Sequence, residues 1–208
     1  APEKALGTKY PIQVIQAGPM LTRPNGYPLD AWGSDGYGVG CDSWMSVSKT
    51  IKRLKREGAG VIKIALDDDG LDPGLLEGAV LTAHGLGMKV VVHAVSDESA
   101  FQAGKAGADV LAHTPLEPLT ARTIQVWMGR AVISTLAAFG GSPVAIENLR
   151  KLRASGVTVL YGTDLGNLRV DGPSGEEMEL MKSAGMTDDD VQNAMTTVPW
   201  HFWGFDTR

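Results

Sequence analysis

Four residues with side chains able to hold or activate a metal ion stand at matching places in the apolar runs of this sequence. They are Lys63 in VIKIAL, His93 in KVVVHAV, His113 in DVLAHT and Asp164 in TVLYGTD, each late in its run. An imidazole is a good ligand for zinc-like ions, and a carboxylate accepts the proton of an attacking water. A bound metal lowers the pKa of such a water to about 7 and polarises the bond to be cut. An unmodified lysine is a poor ligand until it loses its proton. Burial favours the neutral amine that can bind. Taken singly, each residue has a plainer reading, as a strand lysine reaching the surface or a strand histidine satisfied in the core. Four of them at the ends of four separate runs, 30, 20 and 51 residues apart, favour a joint role.

The elements that must position them follow from the periodicity. Runs 12–17 (IQVIQA), 61–66, 89–95, 109–114, 131–137 (AVISTLA) and 158–164 read as six strands, and several are nearly continuous in apolar residues, as parallel strands covered on both faces are. Between them lie helical stretches. Residues 46–57 carry Val47, Ile51 and Leu54 at helical spacing and close on Gly58-Ala59-Gly60, and Asp72-Pro73 opens a second helix as an N-cap followed by proline. Further helices are expected over 97–107, 120–128, 142–156, 175–184 and 188–203, and a long Gly- and Pro-rich loop over 18–41. Strand, helix, glycine, strand at this interval is the sequence form of βα units, so the class is α/β. No strand is followed by Gly-x-Gly-x-x-Gly and no Walker-type loop is present, which removes support for dinucleotide and P-loop folds. A TIM-type (β/α) barrel is the remaining expectation, with residues 1–208 as a single catalytic barrel domain. Its C-terminal strand ends form the active face. Alternation would then put Val61, Lys63 and Ala65 on one face, with Val91 and His93, Leu111 and His113, and Gly162 and Asp164.

Composition narrows the partners. The formal net charge is −5, basic residues are scattered, and no apolar run approaches a membrane span. A small-molecule substrate is expected, with neither nucleic acid nor membrane as partner. The one cysteine, Cys41, excludes an internal disulfide and a thiolate metal site. His84, among small helical residues, and His201, in the aromatic cluster Trp200, Phe202, Trp203 and Phe205, read as structural. The 18–41 loop, with Tyr27, Trp32 and Tyr37, reads as a lid or pocket wall for an apolar or aromatic group.

The strands and their end residues resemble the amidohydrolase superfamily, in particular its imidazolonepropionase and prolidase-like branch. VIKI resembles the fourth-strand lysine segment, GMKVVVHA the fifth-strand and ADVLAHT the sixth-strand histidine segments, YGTD the eighth-strand aspartate, and GEEMELMKSAGMTDDDVQNAMT the helices that follow. The resemblance implies a metal-dependent hydrolase of amide, ester or related bonds that uses a divalent metal, zinc above all. It implies Lys63 as a carboxylated, metal-bridging lysine, His93 and His113 as ligands of one metal, and Asp164 as metal ligand and catalytic proton acceptor. The family's first-strand His-x-His pair is absent. The first two barrel strands are thus expected to be missing and the sequence to be truncated at both ends, with a second copy or a missing segment covering the open edges. Two other readings stand beside the hydrolase. One is a barrel remnant that binds a ligand without hydrolysis. The other is a phosphate-binding barrel using Phe139-Gly140-Gly141-Ser142.

Overall fold

The structure, a computed structural model, describes residues 13–67, 69–166 and 172–207. Its centre is a seven-stranded, wholly parallel sheet. The strands are β1 (Met20–Thr22), β2 (Gly38–Gly40), β3 (Val61–Ala65), β4 (Lys89–His93), β5 (Val110–Leu111), β6 (Ala131–Ile133) and β7 (Thr158–Leu160). Their order is β2-β1-β3-β4-β5-β6-β7, so every strand from β3 on pairs with its successor in sequence. Helices α1 (Trp44–Arg56), α2 (Pro73–Gly85), α3 (Asp97–Lys105), α4 (Ala121–Trp127), α5 (Pro143–Ala154), α6 (Gly175–Ser183), α7 (Asp188–Met195) and α8 (Thr197–Phe202) complete the α/β architecture.

Local chemistry explains the punctuation. Ser43 accepts from the Ser46 amide in a capping box that starts α1, and the buried stripe Val47, Ile51, Leu54 turns that helix onto the sheet. Its end is closed by Gly58 at φ 94°, a left-handed position natural to glycine, with the Ala59 amide bonded to the Leu54 carbonyl. Asp72 caps α2 through the Gly74 amide.

The two faces of the sheet bury different things. Ile62, Ile64, Val90, Val92, Leu111, Val132 and Val159 join the helices' apolar stripes in one large cluster. On the other face Val61, Val91, Val110, Ala112, Ala131 and Leu160 form a smaller interior cluster, packed against by Ile15, Ile133, Val198, Phe202 and Trp203. Lys89, the first residue of β4, holds its ammonium 4.9 Å from the Phe202 ring centre, so α8 lies by the N-terminal strand ends. A cavity of about 420 Å³ lies along this interior face, lined by Val61, Lys63, Val91, Ile133 and Trp203 among others. No helix among the described residues is long and apolar enough to cross a membrane.

Several sequence expectations need correction. Ile12 lies outside the described residues, and 13–17 is not a strand. Ile15 and Ala17 pack against the interior face while Val14 is exposed, so the alternation is obeyed, but the Gly60 amide bonding the Gln16 carbonyl is no ladder. The 18–41 loop instead contains β1, β2 and a 3-10 turn over Trp32–Asp35, giving seven strands where six were read. The run 109–114 pairs only over Val110–Leu111, and Leu111 faces the helices. Leu111 and His113 do not share an interior face as alternation would have it, because the backbone bends at Ala112 and His113 and period 2 ends there. The helix expected over 188–203 is two, broken at Thr196 (φ −130°, ψ −80°). Pro199 explains the break: it has no N–H to give the Met195 carbonyl, and its ring would clash with that carbonyl in a continuous helix.

Candidate active site

The C-terminal ends of β3 to β7 bring polar groups above the interior apolar cluster. Register sets their heights, with Lys63 opposite Val91 and His93 opposite Ala65. Lys63 is thus one interior step below His93. The bend after β5 carries His113 back over the interior, where its ring meets that of His93 edge to face at 4.9 Å between centres.

Each imidazole has one nitrogen engaged by a neighbour. His93 Nε2 lies 3.4 Å from an Asp67 carboxylate oxygen, and that carboxylate also accepts from the Val95 and Ser96 amides, at 2.8 and 3.3 Å, and from the Ser96 hydroxyl. His113 Nδ1 lies 3.0 Å from the Thr135 hydroxyl. These contacts leave Nδ1 of His93 and Nε2 of His113 for another partner. Tyr27 packs on the far side of His93, 5.0 Å between centres, and Phe139 packs on His113 at 5.0 Å. Trp32 meets Tyr27 edge-on at 6.1 Å, and Tyr37 lies beyond it.

Burial dominates the protonation states. It pushes the Lys63 ammonium down from 10.5 to about 8, against a partial restoring pull from Asp164. It pushes His113 down to about 2, helped by the positive charge of Lys63 and by His93. His93 is lowered for the same reason, with Asp67 opposing. Both imidazoles are therefore held neutral, with a lone pair to offer, and the lysine has a substantial neutral fraction at mildly alkaline pH. The Tyr27 phenol is raised by burial and by the nearby Asp164, Asp30 and Asp67 carboxylates.

The four candidate residues thus sit in one electrostatic neighbourhood. Asp164 lies four residues past the end of β7 with φ 50°, a left-handed backbone unusual for a residue with a side chain. Gly162 is required on the way: a Cβ there would come within 2.3 Å of Ile133 Cγ2. Among the described residues, no three His, Cys, Asp or Glu side chains are grouped closely enough to hold a metal ion. His84 is elsewhere, paired with Asp109 at 2.8 Å on the surface, and His201 pairs with Asp206 at 2.9 Å. Sequence reasoning missed Asp67, Thr135 and the contacts of Tyr27 and Phe139. An acidic residue directly after β3, in the run LDDDG, was a signal for Asp67, whereas Thr135 was read as part of a strand without a ligand.

No protein-family model matches the sequence. Uncharacterized proteins of Mycobacterium tuberculosis and Mycobacterium bovis are each 26% identical, over 84% of this chain and 54% of theirs, so the chain spans about half the length of the curated relatives it matches. Among solved structures, a Xaa-Pro dipeptidase with bound methionine superposes with a TM-score of 0.77 at 18% identity, over 93% of this chain and 58% of that one. The Aspergillus niger ochratoxinase gives 0.73 at 18%, over 90% and 54%. A putative prolidase from Bifidobacterium longum gives 0.69 at 19%, over 91% and 55%. The chain therefore has the (β/α)-barrel fold of the solved amidohydrolases and prolidases, and covers part of that barrel.

Proposed function

We propose that the chain is a metal-dependent hydrolase of amide, ester or related C–N and C–O bonds in a small substrate. The observation that carries this is the pair of neutral imidazoles, His93 and His113, meeting edge to face above buried Lys63 with one nitrogen of each tied back by Asp67 or Thr135. Two imidazoles alone make an incomplete donor set. Lys63 would complete it: its neutral amine can add to carbon dioxide, forming an N–C bond and releasing a proton, and the carbamate would offer an anionic oxygen. Three protein ligands with one open position is the arrangement of catalytic zinc sites. When bound, the metal supplies Lewis acidity toward water and substrate. Asp164 takes the proton of the attacking water and passes it to the leaving group. The ring series Tyr27, Trp32 and Tyr37, which begins against His93, would offer aromatic surface suited to an apolar or aromatic substituent. The solved relatives are named as dipeptidase, prolidase, ochratoxinase and amidohydrolase, all hydrolases, which supports the reaction class.

The lack of a third His, Cys, Asp or Glu ligand among the described residues favours a second reading, a barrel that binds a ligand without hydrolysing it. Metal analysis of the purified chain, with assays on amide, ester and carbamate panels before and after chelation, separates the two. Stoichiometric zinc and chelator-sensitive hydrolysis support the first; no hydrolysis of any panel with added divalent metal leaves the second.

A further inference from the structure

The segment leading into α1 is aromatic and acidic. From Pro24 to Ser48 the sequence holds Asp30, Asp35 and Asp42 but no Lys, Arg or His, and Tyr27, Trp32 and Tyr37 fall within it. Backbone bonds hold the three rings in one frame. The Pro28 carbonyl accepts from the Ala31 and Gly33 amides at 3.0 and 2.8 Å, and the Gly33 carbonyl accepts from the Tyr37 amide at 3.1 Å. The Tyr37 carbonyl in turn accepts from the Met20 amide at 2.7 Å, where β1 begins. Gly33 permits this closeness, since a Cβ there would come within 2.6 Å of Pro28 Cγ. A frame fixed before binding lowers the cost of ordering the rings around a ligand. Trp32 stands at 81° to Tyr27 and 51° to Tyr37, so the rings do not stack face to face, and Trp32 and Tyr37 are 48% and 63% exposed. A single exposed ring needs no explanation, but a group of them beside a candidate site does.

The surrounding charges say what would fit. Asp35 closes the 3-10 turn that Trp32 opens, and side chains three apart eclipse in such a turn, so carboxylate and indole share one edge. The Asp30, Asp67 and Asp164 carboxylates lie near enough to Tyr27 to raise its phenol. Among the described residues neither Asp30 nor Asp35 has an ion-pair partner, and Arg23, the base preceding the segment, is paired with Asp69. The Lys63 ammonium in the neighbouring site is offset by Asp164. Aromatic faces carry negative potential and attract cations, and apolar substituents on the cation gain from the same surface.

We propose that Tyr27, Trp32 and Tyr37, with Asp30 and Asp35, form a subsite for an alkylammonium group, a head that presents positive charge and apolar surface together. The series begins on His93, so the remainder of a ligand held by its cation reaches the paired imidazoles. As a substrate preference this rests on the hydrolase reading; as a binding site it needs no metal.

Choline, and the alcohol in which a neutral tert-butyl group replaces its trimethylammonium, share shape and hydroxyl and differ in charge. Both are titrated calorimetrically into the chelator-treated chain and into Trp32→Leu and Asp30→Asn, with circular dichroism as the check on folding. The expected result is choline binding about 2–30-fold tighter than the neutral alcohol in the wild type, the range that contacts between a cation and aromatic rings supply. Trp32→Leu keeps apolar surface but loses the negative ring face, and Asp30→Asn loses charge at constant shape. Each should therefore narrow the preference while leaving the neutral alcohol's affinity nearly unchanged. If Trp32→Leu does not fold, Tyr37→Leu, at the more exposed ring, carries the same comparison. Equal affinity for the two probes, no choline binding at millimolar concentration, or a preference that survives both substitutions overturns the proposal alone. A wild type without hydrolytic activity that still prefers choline overturns the hydrolase reading and supports the subsite.

Discussion

The two ends of the sheet's interior face are built from the same strands and differ in almost every physical respect. At the N-terminal end Val61, Val91, Val110 and Ala131 pack on one another and on Phe202 and Trp203. A few residues further along the same strands stand Lys63 and His93, with His113, Thr135 and Asp164 in the turns just beyond strand ends. The lower end is built of apolar contacts; the upper end holds two positive-φ residues with side chains, a lysine displaced to about pKa 8 and a histidine to about 2. Apolar packing and titratable groups are thus divided along the length of the strands, in the way barrel enzymes divide stability and chemistry between bottom and top. Substitutions at one end should leave the other's property intact.

The largest expected effect is at the upper end. Asp164→Asn keeps nearly the same shape but removes the base, so hydrolysis should fall by about 10²–10⁴-fold with the fold preserved, read as kcat on any substrate the panels identify. Full activity in this variant would take Asp164 out of the reaction. At the lower end Val61→Ala, at the first residue of β3, opens a hole in the interior cluster and should cost about 1.5–3 kcal/mol in denaturant unfolding, leaving zinc affinity of the remaining folded protein unchanged. A large change in zinc affinity there would mean that the two ends are coupled.

The displaced lysine gives a pH test. Its folded pKa of about 8 lies below its ordinary 10.5, so between these values the unfolded chain binds more protons than the folded one. Stability of the metal-free, uncarboxylated chain should therefore rise as pH increases from about 8 to 10.5, by up to about 3 kcal/mol, and the full cost of burying the ammonium is present below pH 8. Lys63→Met should flatten that rise in urea titrations at several pH values; an unchanged slope would assign it to other groups. The smallest effect belongs to a site outside both ends. His84→Ala removes only a surface pair with Asp109, which keeps its bond to the Val90 amide, so stability should move by less than about 1 kcal/mol and zinc content not at all.

The same division explains what the sequence made legible. The βα alternation and the helix-facing strand residues follow from periodicity, because apolar burial repeats every two or 3.6 residues. The α/β barrel class and the boundaries of α2 and β3 could be read this way. Period 2 fails where the strands end, and that is where the candidate site lies. Leu111 was placed on the wrong face because His113 is reached by a bend, and Thr135 was read as a strand residue because its left-handed backbone has no signature in a β-branched side chain. The strands β1 and β2 were missed because three residues each, amid Gly and Pro, give too short a pattern. Lys63 and the two histidines were singled out by residue type at strand ends, and the structure brings them together, whereas Asp67 beside His93 is an ordinary acidic residue whose contacts lie 26 or more residues away.

The measurement closest to the central claim is the metal content of the purified chain beside His93→Ala and His113→Ala, taken by elemental analysis with circular dichroism as the check on folding. The proposed site predicts near-stoichiometric divalent metal in the wild type and loss of it in both variants, with the fold retained. Equal metal content in all three, or a folded wild type that takes up none when zinc and bicarbonate are supplied, would contradict it.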